Sequence, residues 1–211
     1  ERALLDAGRP ADLEAILEEI AAALPEARRV WLHLGGARER LGDSDGAVAA
    51  LERAAAADGD GNTLPEAPAA LARVLAARGT ARLDAGRAAE ALEDFRRAVK
   101  ADPRAPGAKT GEARALEALG DMEGALAAAR EATDLTPEDY AAYAFLDRVH
   151  AARGELALLE TLWTGMTAAD PARRHAWFCL GLALERQKRR GEAATAYERA
   201  AALAPEGQAG P

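Results

Sequence analysis

His175 and Cys179 stand four residues apart in "RHAWFCL", a spacing that sets an imidazole and a thiol on one helix face and begins a zinc site when further ligands join. No Asp, Glu or second Cys at matching spacing completes the set, so the pair reads as two side chains of a helix face. No metal or cofactor is expected. In "DGDGN", Asp58, Asp60 and Asn62 take the alternating positions of a calcium loop, but Thr63 replaces the required Gly and Ala69 the closing Glu. The stretch reads better as a connection before a helix opened by Asn62 or Thr63 and Pro65. Ser44 is the single serine, and His33, His150 and His175 are scattered, so no nucleophile, base and acid fall together. The glycines of "GGARERLG" follow no strand and so form no nucleotide loop. No catalytic residue is assigned, and the chain is not expected to be an enzyme.

The elements around these residues repeat. "WLHLGGARERLGDSDGAVAALERA" (31–54) returns as "WFCLGLALERQKRRGEAATAYERA" (177–200). Between them, copies at intervals of 34 residues keep small residues, large residues, glycines and prolines in fixed slots. Gly79, Gly86, Ala91, Phe95, Ala98 and Pro103 hold the pattern in one copy; Ala113, Leu116, Gly120, Ala125, Ala132 and Pro137 hold it in the next. Tyr143, Leu146, Gly154, Trp163 and Pro171 follow, and then Trp177, Leu180, Gly181, Ala193, Tyr197, Ala200 and Pro205. One insertion, "GDGNTLPEAP" (59–68), interrupts the phase, and Gly8, Leu13, Leu17, Ile20 and Pro25 match the second half of a further copy.

Each copy reads as two amphipathic helices, with apolar residues at spacings of three and four. Gly42, Gly86, Gly120 and Gly154 end the first helix, because glycine takes the left-handed conformation cheaply. Asp43 and Asp121 are the expected caps of the second. Gly35, Ala47 and Ala54, and likewise Gly181, Ala193 and Ala200, sit where paired helices must approach closely.

This pattern resembles the tetratricopeptide repeat. The resemblance implies an all-α fold, a right-handed superhelical solenoid of antiparallel helix pairs, with five full repeats after half of another. The expected boundaries are 1–27 for the half repeat, then repeats at 28–58, 72–105, 106–139, 140–173 and 174–207. Residues 59–71 hold the insertion and the start of a lengthened helix, and 208–211 a tail. Asp147 and Leu159 replace small residues, and Lys188 replaces the helix-ending glycine, so local packing is expected to differ at all three.

A net charge of −8 disfavours nucleic acid as a partner. The apolar residues are mostly Ala, with three each of Phe, Tyr and Trp, which favours helix. Cys179 is the only cysteine and excludes an internal disulfide. No apolar run is long enough to span a membrane, and a soluble protein, cytoplasmic rather than periplasmic, is expected. The chain opens inside a repeat and ends without a further amphipathic helix. It therefore reads as part of a longer protein, or as one that self-associates through uncapped ends, where Tyr197 and Leu203 would be uncovered.

The resemblance further implies that the first helix of each pair lines a concave face. That face carries Arg29, Leu32, His33, Gly36, Glu39 and Arg40, then Arg73, Ala76, Ala77, Thr80, Leu83 and Asp84. Thr110, Arg114 and Glu117 follow, with Ala144, Phe145 and Arg148, and finally His175, Phe178, Cys179, Leu182, Glu185 and Arg186. Arg114 and Arg148 hold equivalent slots and together suit a carboxylate or phosphate. Phe145 and Phe178 suit an apolar anchor. The expected partner groove is thus Arg114, Phe145, Arg148, His175, Phe178 and Leu182, and its expected occupant is a protein or peptide carrying an acidic group and a hydrophobic anchor. Arg114 pairing with Glu117, and the Phe residues packing between repeats, is the competing reading. Chaperone-tail receptors of the family use Lys and Asn where this chain has Leu32, Gly36, Ala77, Gly107 and Gly111, so that activity is not implied. The function expected is an interaction scaffold, the alternative an accessory, substrate-positioning or dimerisation domain of a larger enzyme such as a transferase.

Overall fold

The computed structural model describes residues 10–56 and 64–204. Asp58, Asp60, Asn62 and Thr63 of the calcium-like stretch lie outside the described residues, as do Gly8 and Pro205. Among the described residues all regular structure is helical, in 11 helices, and none is long and apolar enough to cross a membrane. The chain forms two compact units, 1–119 and 120–211.

The first unit holds α1 (Pro10–Ala23), α2 (Arg28–Leu41), α3 (Ser44–Ala55), α4 (Glu66–Asp84), α5 (Ala88–Ala101) and α6 (Ala108–Ala118). Each helix packs on the next, and the two- and three-residue connections at 42–43 and 85–87 make α2 with α3, and α4 with α5, antiparallel hairpins. Gly42 ends α2 in the left-handed conformation, φ 83°, where its N–H bonds the Glu39 carbonyl and that of Asp43 the Arg38 carbonyl. The Asp43 carboxylate then accepts the Gly46 N–H at 2.9 Å and opens α3. Trp31 Nε1 donates to the Pro25 carbonyl at 2.8 Å, tying a helix to the turn before it.

Glycine sets how closely the helices approach. A Cβ on Gly35 would lie 2.6 Å from Leu51 Cγ, and one on Gly79 3.1 Å from the Phe95 ring. On Gly111 it would lie 2.2 Å from that same ring, so Phe95 of α5 fills the hollows of both α4 and α6. Gly111 is therefore a core position, not a slot on an open face.

Asp94 on α5 is fully buried between two arginines of α4: Arg78 binds it through Nε at 2.9 Å and Nη2 at 2.6 Å, and Arg82 Nη1 lies 2.8 Å away. On α1, Leu13, Leu17 and Ala21 pack against Leu34 and Ala37 of α2, while Ile16, Ile20 and Leu24 form an exposed apolar stripe. The residues in the slots of Ile16 and Ile20 on α3 and α5, Ala50 and Ala54, Asp94 and Ala98, are all buried. Pro65, whose fixed φ suits a helix start, stands directly before Glu66 of α4.

The second unit holds α7 (Met122–Leu135), α8 (Tyr140–Ala152), α9 (Leu156–Ala169), α10 (Arg174–Arg186) and α11 (Arg190–Ala202). The Asp121 carboxylate caps α7 through the Gly124 N–H at 2.9 Å. Trp163, Tyr143, Leu146 and Leu159 are fully buried. Trp177 Nε1 donates to the Pro171 carbonyl at 3.0 Å, the same bond that Trp31 makes to Pro25. Asp147 is buried but satisfied, taking both Nη atoms of Arg186 at 2.7 and 2.6 Å.

Lys188 corrects one expectation. It adopts φ 63°, and the turn keeps the glycine pattern: its N–H bonds the Glu185 carbonyl at 2.8 Å and that of Arg189 the Leu184 carbonyl at 3.0 Å. Gly154 and Glu155 make the corresponding bonds to Ala151 and His150, each at 3.0 Å. The two hydrogen bonds hold a lysine in a region that costs a side-chain-bearing residue about 1–2 kcal/mol. Lys188→Gly should raise stability by about 1 kcal/mol in urea unfolding with an unchanged m value. A loss of stability would show that the lysine side chain holds the turn.

Candidate functional site

A cavity of about 730 Å³ runs along α10 in the second unit. Arg174, His175, Phe178 and Glu185 of α10 line it, with Tyr140 of α8 and Tyr197, Ala200 and Ala201 of α11. At about 100° per residue, positions 174, 178 and 185 fall within about 40° on the helix surface. Ala176, Cys179, Leu180 and Ala183 turn into the core on the other side.

The Asp139 carboxylate accepts the Ala141 N–H at 3.0 Å and fixes Tyr140 in the first turn of α8. Gly181 admits α11: a Cβ there would lie 2.4 Å from Tyr197 Cε1. The rings then form a connected wall. Tyr140 meets Phe178 edge-on at 5.8 Å, and Phe178 meets Tyr197 at 5.6 Å with 49° between planes. His175 sits against Tyr140 at 5.3 Å and Tyr143 at 5.6 Å.

Polar groups set the charge of this wall. Burial lowers the His175 pKa and so favours the neutral ring, although its Nε2–H donates to the Glu138 carbonyl at 3.1 Å. The Tyr197 hydroxyl donates to Glu185 Oε2 at 2.9 Å. Burial, and then that bond to a carboxylate, push the Tyr197 pKa up to about 12. The charged residues lining the cavity are Arg174 and Glu185, about 16 Å apart along the helix. A second cavity of about 610 Å³, bounded by Pro137, Asp170, Arg173 and Leu203, shares Tyr140, Arg174 and His175.

The expected groove residues are distributed over both units. His175 and Phe178 line the cavity, and Leu182 is half-buried on the same helix. Phe145 is not an exposed anchor: it is 5% exposed, and the Arg148 guanidinium covers it 5.1 Å from the ring centroid. Arg114 belongs to the first unit and lies 3.9 Å from Asp84, whereas Arg148 belongs to the second. Cys179 is fully buried, and burial drives its thiol pKa well above the ordinary value, so it neither faces the cavity nor offers a thiolate. Thr110 is likewise buried rather than on an open face. Among the described residues no group of three or more His, Cys, Asp or Glu is placed to hold a metal ion.

Sequence reasoning missed Tyr140 and Arg174, and placed Tyr197 in a repeat slot and at an uncovered end but not in the groove. Tyr140 stands three residues before Tyr143, a one-turn spacing that signals a shared aromatic face. In the first unit a cavity of about 690 Å³ between α4 and the α5–α6 connection is lined by small residues such as Ala69, Ala76 and Ala77, with Arg73, Thr80 and Asp102.

Helix pairs joined by left-handed turns, with a small residue of one helix facing a ring of another, define an all-α helical-repeat protein. Tetratricopeptide repeat family models match residues 2–63 and 76–140, and a second matches 175–206; the chain belongs to the tetratricopeptide repeat family. Proteins of this family bind proteins or peptides as scaffolds. None of the curated proteins compared matches the chain. Among solved structures it is similar to a MamA protein, at 22% identity over 85% of this chain and 93% of that one, with a TM-score of 0.48. It is also similar to YrrB, described as a TPR protein with an unusual peptide-binding site, at 17% identity over 90% and 93% with a TM-score of 0.48. TTC0263, a thermophilic TPR protein of Thermus thermophilus, gives 26% identity over 86% and 93% and a TM-score of 0.43.

All three tyrosines carry raised pKa values, with burial the leading cause in each. The folded state thus holds these protons more tightly than the unfolded chain. The stability they contribute is present below pH 10 and is lost as pH rises through about 12, where Tyr197 ionises. Phenolate absorbance should show native tyrosines ionising above pH 10, the last phase disappearing in Tyr197→Phe. Half-ionisation near 10 in the native protein would contradict the packing described.

Proposed function

We propose that this chain is a protein-interaction scaffold whose second unit takes up a partner polypeptide segment along α10. An apolar side chain of the partner enters between Tyr140, Phe178 and Tyr197, and an acidic group of the partner meets Arg174. The cavity walled by three aromatic rings carries this reading. Its volume suits several side chains, and aromatic walls with few polar groups are the usual lining of a binding site. Tyr140 and Phe178 are 40% and 37% exposed and in contact with each other, so they present a joined apolar patch. One repeat earlier, the slot of Tyr197 is held by Trp163, which is fully buried, so this slot accepts covering mass. The acid-binding role expected of Arg114 and Arg148 passes to Arg174, because Arg174 lines the same opening as the anchor wall.

Selection of peptides from a random display library against the full chain tests the reading. Selected peptides should lose about 30-fold in affinity, or about 2 kcal/mol, for Phe178→Ala, as expected of a central aromatic contact. They should lose less for Arg174→Glu. Peptides that bind Phe178→Ala as well as the wild type would place the contact elsewhere and overturn the reading.

A further inference from the structure

We propose that the Glu185 end of the cavity seats a cationic side chain, so that the partner segment carries a Lys or Arg about 16 Å from the acidic group that meets Arg174. The proposal rests on the cavity along α10 being the partner site, and it names the chemistry recognised at one end of that site. An extended strand covers that distance in about five residues.

The geometry supplies both halves of a cation seat. Aromatic faces are electronegative and attract an ammonium or guanidinium within about 6 Å of the ring centroid. Phe178 stands between Tyr140 and Tyr197 with centroid separations of 5.8 and 5.6 Å, the planes inclined by 72° and 49°. Inclined rings form walls, where parallel ones would close on each other. Tyr197 joins this wall to the carboxylate, its ring against Phe178 and its hydroxyl on Glu185 Oε2. One Glu185 oxygen is thereby fixed and the other is left for an incoming donor.

The arginine next to Glu185 is committed to another acid. Arg186, the next residue, gives both terminal nitrogens to Asp147. The His175 Nε2 is committed to the Glu138 carbonyl, and burial favours its neutral ring. Arg174 lies three turns away at the other end of the same stripe. The net charge of −8 further favours a basic segment on approach. A neutral apolar side chain would gain the ring contacts alone. A Lys or Arg adds the carboxylate and the ring faces, which is why the seat discriminates between them.

The test sequences the peptides that a random display library yields against the wild type, Glu185→Gln and Phe178→Ala. Glutamine keeps an oxygen that accepts the Tyr197 hydroxyl, so the wall is preserved while the charge is removed. Wild-type peptides should be enriched in Lys or Arg about five residues from an Asp or Glu, and Glu185→Gln peptides should lack that enrichment. In the best wild-type peptide, Lys or Arg replaced by norleucine should weaken binding about tenfold to the wild type and leave binding to Glu185→Gln unchanged. Identical selections on the wild type and Glu185→Gln, with Phe178→Ala still defective, would overturn the cation seat and leave the anchor reading standing. Selections that do not discriminate Phe178→Ala either would overturn both.

Discussion

Several helices of this protein meet a neighbour where a residue without bulk faces a residue with it. Gly35 receives Leu51, Gly79 and Gly111 share Phe95, and Gly181 receives Tyr197. A close-packed interior leaves no room for even one methyl group at such contacts. These positions therefore fix the separation of paired helices, and the separation fixes which neighbouring residues are sealed and which remain in contact with solvent. The left-handed turns at Gly42 and Gly86, and at Lys188, join the helices that make the Gly35, Gly79 and Gly181 contacts.

The candidate site follows from one such contact. Because Gly181 lets α11 lie close, the Tyr197 ring reaches Phe178 and its hydroxyl reaches Glu185. The same approach buries Cys179 and Leu180 beneath the wall. Buried charge is handled on the same scaffold by fixed pairs: Asp94 with Arg78 and Arg82, Asp147 with Arg186. In both the acid is enclosed and held by guanidinium forks, which satisfies its lone pairs where water cannot. Pairing Arg186 with Asp147 also decides the electrostatics of the cavity, since it leaves Glu185 as the acid at that end.

The repeating glycines, the Asp43 and Asp121 caps and the small-against-large pairs were legible because each obeys a local rule: a positive φ, an unpaired N–H, a volume. The face presented to a partner was harder to read. Equivalent slots suggested that Phe145 and Phe178 behave alike, yet Phe145 is sealed under Arg148 while Phe178 lies open beside Tyr197. Repeat phase gives a residue's place in its helix but not the bulk of what packs over it. Lys188 failed in the opposite direction: a lysine in a glycine slot suggested a changed turn, but two backbone hydrogen bonds outweigh its conformational cost. Arg174 and Tyr140 escaped notice because each stands at the first position of its helix, outside the periodic apolar pattern.

The dependence of helix spacing on glycine against a ring is tested most directly by two substitutions to alanine within the second unit. Alanine favours helix over glycine by about 1 kcal/mol at both sites. A Cβ on Gly181 would meet the Tyr197 ring, whereas one on Gly165 meets nothing within 4 Å. Equilibrium urea unfolding should show Gly165→Ala stabilised by about 1 kcal/mol and Gly181→Ala destabilised by about 1–3 kcal/mol. Equal stabilisation by both would mean that Tyr197 moves aside without cost, and that the close approach does not set the structure.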